Sequence, residues 1–236
     1  MSSEKLSFFE EGQILLFDKP LYWTSFDLVN KVRIMIRSGL GIKKIKVGHA
    51  GTLDPLATGL MIVCTGRFTK KIDEFRDLDK EYLATIHLGA TTPSFDLETE
   101  TDANFPTDHI TEEDVRSVLS SFLGEQKQMP PLYSAKQIDG KRAYEFARKG
   151  VHKELEPVTI YFRELELISF GVPELKIRLV CSKGTYIRSF ARDFGIALKS
   201  GSYLSALERT AIGQHKLDKA YDLEKFGILI EQMKQN

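Results

Sequence analysis

The sequence contains no apolar run long enough to cross a bilayer, which excludes a helical membrane span. Its first eleven residues are polar and acidic rather than basic and then apolar, so they do not read as a secretory signal. Cysteine is scarce. Cys64 and Cys181 are too few for a disulfide framework, and both sit in apolar, strand-like surroundings. They read as buried thiols of a protein in a reducing cytoplasm. The five histidines lie far apart, and neither Cys-x-x-Cys nor His-Glu-x-x-His spacing occurs, which argues against a metal centre. There is no Gly-x-Ser-x-Gly elbow for a serine nucleophile and no Gly-Lys-Ser/Thr phosphate loop. Gly39 and Gly41 lack the later glycine and the preceding strand of a dinucleotide fingerprint. Internal repeats and Ser/Gly linkers are missing too. Excess charge is also absent, since 33 basic residues balance 33 acidic ones. Taken whole, that balance argues against a nucleic-acid binder.

The distribution of charge says otherwise. Between Asp27 and Asp54 there is no acidic residue, while Lys31, Arg33, Arg37, Lys43, Lys44 and Lys46 all fall there. From Asp96 to Asp114 the reverse holds, with acids throughout and no Lys or Arg. Segregation of this kind permits a local positive field on a neutral chain. At 42% apolar the 236 residues can bury one sizeable core. Pattern and punctuation predict strands at 13–17, 60–64, 80–88, 158–170, 175–181 and 203–212. Helices are expected from Thr24 or Ser25 to 38 with Gly39 as the stop, at 69–78, from Thr111 to 122, at 186–199 and at 223–233. Residues 91–106 read as an exposed acidic loop. Residues 124–150 are irregular, and their interleaved aromatics and cations suit an RNA-contacting lobe. Strands and helices that do not alternate strictly indicate a mixed α/β (α+β) fold.

The densest chemistry lies in Gly48-His49-Ala50-Gly51-Thr52-Leu53-Asp54-Pro55-Leu56-Ala57-Thr58-Gly59. Glycine and proline punctuate it too often for a helix. Pro55 also biases Asp54 toward an extended backbone, which fixes the direction of its side chain. An Asx-turn is the simple structural alternative. Spacing leaves a carboxylate pair for glycoside chemistry open, although the acids nearest to Asp54 along the chain are Asp27 and Asp73. An isolated carboxylate among His49 and cations stays ionised and can act as a nucleophile or a base.

This loop resembles, nearly letter for letter, the catalytic motif of the TruB family of tRNA pseudouridine(55) synthases. Four further segments resemble the family in the same order. They are Lys19-Pro20 with Thr24-Ser25, then Lys80-Glu81-Tyr82, then the run from Met129 to Ala135 with Gly140 to Glu145, and Cys181 to Ser189. The resemblance implies the pseudouridine synthase fold, with a central, largely antiparallel mixed sheet flanked by helices. It implies one catalytic domain over 1–236 with a thumb inserted at 124–152 and no PUA domain, hence a stand-alone enzyme rather than a guide-RNA-dependent one. The implied reaction is isomerisation of the T-loop uridine of tRNA in the cytoplasm, by a monomer without cofactor or metal. Asp54 is the implied nucleophile, with Tyr82 and Arg188 completing the catalytic set. Arg188 is expected to pair with Asp54, Tyr82 to stack on the target base, and His49 to hold the nucleotide flipped out. Tyr186, Lys19, Thr52, Lys80, Tyr133, Lys141, Arg142 and Lys183 are the remaining expected RNA contacts. A non-catalytic RNA-binding or RNA-folding protein, or a synthase for a different RNA, is the alternative. One departure stands out. The family commonly has glycine where this chain has Tyr22, so a different backbone turn is expected there.

Overall fold

The computed structural model describes residues 8–132, 137–138, 141–142 and 155–235. It divides into two compact units, Met1–Glu81 with Glu208–Asn236, and Tyr82–Leu207. The fold is of the expected class, a mixed α/β structure with a large sheet flanked by helices.

In the first unit β1 (Ile14–Lys19) pairs antiparallel with β3 (Ala57–Thr65), from Ile14 opposite Cys64 to Lys19 opposite Gly59. The short β2 (Val47–His49) also pairs with β3. Leu60 to Thr65 are all buried, as expected of a strand covered on both faces, and Cys64 is a buried free thiol. The N-cap of helix α1 (Ser25–Leu40) is Thr24. Its hydroxyl accepts from the Asp27 N–H, and the Asp27 carboxylate accepts from the Thr24 N–H. Leu28, Val29, Val32 and Ile36 form the buried stripe. The helix does not stop at Gly39. It runs to Leu40 and ends at Gly41, whose φ of 68° is the left-handed cap conformation. Gly39 is instead where α1 meets Ile230 of the last helix, α5 (Leu223–Gln235), and a Cβ there would strike that side chain.

The expected helix at 69–78 is a 3₁₀ segment (Gly66–Lys71) followed by the short α2 (Ile72–Arg76). Strand β4 (Lys80–Leu88) begins in the first unit and continues in the second, with Lys80, Tyr82, Ala84, Ile86 and Leu88 on its buried face. The acidic stretch that follows is not all loop, because β5 (Ala90–Thr91) pairs with β6 (Ala103–Asn104). Thr111 caps α3 (Glu112–Ser121) with Asp114 as its reciprocal partner, as the sequence indicates. Strand β7 (Gly124–Gln128) was not expected. It pairs with β10 (Val158–Ser169), Val158 opposite Gln128, and β10 pairs with β11 (Glu174–Cys181). The tiny hairpin β8 (Gln137–Ile138) and β9 (Lys141–Arg142) lies in the expected thumb, most of which falls outside the described residues. Helix α4 (Ile187–Ala197) inserts Phe190 and Phe194 into an aromatic cluster with Phe122 and Phe162. Strand β12 (Ser202–Ile212) then returns the chain to the first unit, where β13 (His215–Lys216) pairs with it. The order in the second unit is β12, β4, β11, β10, β7.

Candidate active site

The loop between β2 and β3 is held at its backbone from several directions. A turn closes around Pro55, with the Ala57 N–H donating to the Asp54 carbonyl at 3.1 Å. The Ser25 hydroxyl donates to the Leu53 carbonyl at 2.9 Å and accepts from the Leu53 N–H at 2.8 Å. On the other side of Asp54, the Tyr22 N–H donates to the Pro55 carbonyl at 2.8 Å. The third restraint is Arg209, 1% exposed on β12. Its Nε donates to the Leu60 carbonyl at 2.7 Å, and its Nη2 and Nη1 reach the carbonyls of Gly51 at 3.3 Å and Thr52 at 3.5 Å. Gly59 (φ 100°) lies against the Arg209 backbone, where a Cβ would collide. Asp54 therefore sits, half-buried, on a loop whose flanking peptides are fixed.

Lys19 ends β1 rather than lying in a turn, because its partner Gly59 continues the ladder. Its side chain is fully buried, with Nζ donating to the carbonyls of Pro20 at 2.9 Å and Trp23 at 2.7 Å. Burial pushes its pKa down to about 8, and Arg209 adds to the fall, while Asp54 is the foremost of the carboxylates holding it up. The folded state therefore binds fewer protons than the unfolded chain between about pH 8 and the ordinary lysine value. Stability should rise with pH across that window. If the ammonium supports Asp54, turnover should fall over the same rise, by about tenfold. A pH–rate profile beside a pH–stability series reads both, and Lys19→Met should flatten the two curves above pH 8. His49 ends β2, with its Nδ1 buried and without a hydrogen-bond partner among the described residues. Burial lowers its pKa, with Arg209 and Arg76 pushing the same way and the Gly51 backbone opposing. The net effect favours the neutral imidazole.

Tyr22 adopts φ 66°, the conformation open to glycine, at a cost of about 1 kcal/mol. The Trp23 N–H donates to the Pro20 carbonyl at 3.4 Å, closing a turn with Tyr22 in its third place.

In the second unit Arg188 lies in the first turn of α4 and is 5% exposed. Its Nε is 3.5 Å from the Asp96 carboxylate, and its Nη1 donates to the Ser94 carbonyl at 3.4 Å. Asp96 belongs to the stretch expected to be exposed, yet it is 4% exposed and also accepts from the Glu98 N–H. Tyr186 precedes α4. Its backbone is gripped at both ends by the Gln128 amide, which accepts from its N–H at 2.8 Å and donates to its carbonyl at 3.0 Å. Strand β7 thus serves to place Gln128. Tyr82 is 8% exposed on β4. Thr52 is exposed on the Asp54 loop, and Lys183 is exposed in the turn after β11. Lys80 is buried, with its ammonium donating to the carbonyls of Arg76 and Leu78 at the end of α2. Tyr133 and the side chains of Lys141 and Arg142 lie outside the described residues.

The candidates thus form two groups. Lys19, His49, Thr52 and Asp54 belong to the first unit, whereas Tyr186 and Arg188 stand together at the start of α4 in the second. Sequence reading missed Arg209, Asp96 and Gln128. A signal for Arg209 existed, since alternation places it on one face of β12 with Ala211. Among the described residues no three His, Cys, Asp or Glu side chains gather as metal ligands would, and no helix is long and apolar enough to cross a membrane.

Residues 37–187 match the family model described as TruB family pseudouridylate synthase (N terminal domain). The chain is 57% identical over 224 residues to "tRNA pseudouridine synthase B" of Phocaeicola vulgatus, covering 95% of each chain. It is 59% identical, with the same coverage, to the protein of that name in Parabacteroides distasonis. Among solved structures it resembles a chain of the "Structure of H/ACA RNP bound to a substrate RNA containing 2'-deoxyuridine", with TM-score 0.68 and 24% identity. That likeness, which concerns the fold, covers 96% of this chain and 56% of the other. The chain belongs to the TruB family of pseudouridylate synthases.

Proposed function

We infer that the protein converts uridine to pseudouridine in tRNA, and propose that it acts on the T-loop uridine with Asp54 as nucleophile. The reading is supported by the two relatives above 55% identity over 95% of the chain, both named for that reaction. In the reaction the N1–C1′ bond breaks, the base turns, a C5–C1′ bond forms, and the C5 proton leaves to water. A carboxylate can begin this by attack on C1′, by attack on C6, or by taking a C2′ proton to give a glycal. Each route needs a carboxylate at a fixed point, and the restraints from Ser25, Tyr22 and Arg209 hold the peptides around Asp54.

Tyr82 and Arg188 complete the catalytic set in this proposal. The base leaves the loop to react, which costs a few kcal/mol of stacking. In this proposal the imidazole of His49 and the ring of Tyr186 face the flipped nucleotide. The enzyme works as a cytoplasmic monomer without metal or organic cofactor, and residues 124–152 form its thumb on the T arm. Lys44, Lys46, Arg67 and Lys70, with Glu10, line a cavity of about 370 Å³, and among the described residues these four cations have no ion pair. They suit RNA phosphates. Lys44→Ala with Lys46→Ala should weaken RNA binding and lower the salt slope of log K by about two.

The deciding experiment supplies purified protein with a T-arm minihelix tritiated at uridine C5. Tritium should appear in water without added metal or cofactor. Tight binding without release would sink the enzymatic reading for this RNA and leave a binding role.

A further inference from the structure

Tyr22 is held in a conformation that only glycine adopts freely, and nothing in the fold's interior needs its side chain. In a turn of this kind a positive φ at the third place normally selects glycine, because a Cβ there is strained. A tyrosine that keeps such a strain in a core would gain burial in return. This one is 74% exposed. Strain of this sort, held in place by surrounding structure, points to a use outside the fold's own stability.

The turn is fixed from two sides. The buried Lys19 ammonium binds the carbonyls of Pro20 and Trp23, and the Tyr22 N–H binds the Pro55 carbonyl, next to Asp54. The ring therefore stands on a rigid base bonded directly to the loop that carries the nucleophile. Beside it opens a groove of about 400 Å³ lined by Tyr22, Trp23, Asp27, Asn30, Lys31 and Ile34. Its one carboxylate, Asp27, is occupied by the Thr24 N–H and hydroxyl. Lys31 supplies positive charge, and the chain from 28 to 53 holds no acid. An aromatic face with a cation at its edge, on a surface of this charge, fits an unpaired nucleobase and its phosphate.

We propose that Tyr22 is a substrate-positioning residue, a platform on which an unpaired base of the RNA stacks while a neighbouring base reacts at Asp54. Lys31 takes the adjoining phosphate. The proposal rests on the reading of this chain as an RNA-modifying enzyme.

The test compares wild type, Tyr22→Phe, Tyr22→Leu and Tyr22→Gly on the T-arm minihelix, by direct binding, by KM and kcat of tritium release, and by thermal midpoint. Tyr22→Phe should match wild type. Tyr22→Leu and Tyr22→Gly should each raise Kd and KM about tenfold, as loss of one stacked base does, with kcat at saturating RNA within about twofold. Tyr22→Gly should at the same time melt no lower than wild type, because it relieves the turn. A structural residue cannot give that combination of firmer fold and weaker grip. Unchanged Kd and KM in Tyr22→Gly, or equal binding by the Leu and Phe variants, overturns the proposal. Self-association of wild type that Tyr22→Gly abolishes, with RNA affinity unaltered, would overturn it in favour of a contact between copies. Wild type that binds the RNA without releasing tritium would refute the enzymatic reading, while the binding comparison would still decide the role of Tyr22.

Discussion

Asp54→Asn should bind T-arm RNA as wild type does and release C5 tritium at least about a thousandfold more slowly, a loss of the size that follows removal of a nucleophile. The substitution is nearly isosteric. It leaves the Ala57 N–H bond to the residue-54 carbonyl, the Ser25 clasp on Leu53 and the Tyr22 bond to Pro55, all of which use backbone atoms. The loop should therefore keep its shape, and the lost activity reports chemistry alone. A thermal midpoint within a degree or two of wild type is part of the expectation. Removing a negative charge beside Lys19 should also lower that lysine's pKa further, since Asp54 is the first of the groups that hold it up. Tritium release at the wild-type rate would overturn the role given to Asp54 and leave the activity to another group.

Arg209→Met should be the most damaging change away from the reacting atoms. The guanidinium is buried and its hydrogen bonds go to three main-chain carbonyls, the shortest to Leu60. Methionine fills much of the volume but leaves those acceptors without their charged donor, at about 3 kcal/mol in all. For a chain of this size that lowers the melting midpoint by about 10 °C. Activity should fall more than stability at 25 °C explains, because Gly51 and Thr52 lead directly into Asp54. Loss of its positive charge should also raise the Lys19 pKa, moving the alkaline limb of the pH–rate profile upward. Arg209→Lys is the informative control. One ammonium cannot stand in for a guanidinium that reaches the carbonyls of Leu60, Gly51 and Thr52, so it should restore charge and little of the clamp. An Arg209→Met protein that melts and turns over like wild type would remove Arg209 from the account.

Much of this architecture is legible in local sequence, where the physics is local. The boundaries of β4 follow from strict alternation between Lys80 and Leu88, and the two capping boxes follow from Thr24 with Asp27 and Thr111 with Asp114. What was misread depends on distant neighbours. Gly39 looks like a helix stop until α5 supplies Ile230 to pack against it, and Gly41 then takes the cap. Strand β7, Gly-Glu-Gln-Lys-Gln, has no apolar alternation, and only its pairing with β10 makes it a strand. Asp96 sits among seven other acids of the 96–114 stretch, and nothing local distinguishes the one that Arg188 draws inside. The loop around Asp54 was legible as a motif, but its clamp was not, because Arg209 lies 149 residues from Leu60.

That separation governs how the protein comes into being on the ribosome. The first unit is assembled from two separate segments, 1–81 and 208–236, with residues 82–207 made in between. While those residues are being translated, the peptides around Asp54 have Ser25 and Tyr22 to hold them but not yet Arg209. The nascent chain carries Asp54 and its loop long before it carries the strand that secures them. Closure of the unit awaits β12, so a ribosome stalled short of it releases a chain with the full motif around Asp54 and no finished loop.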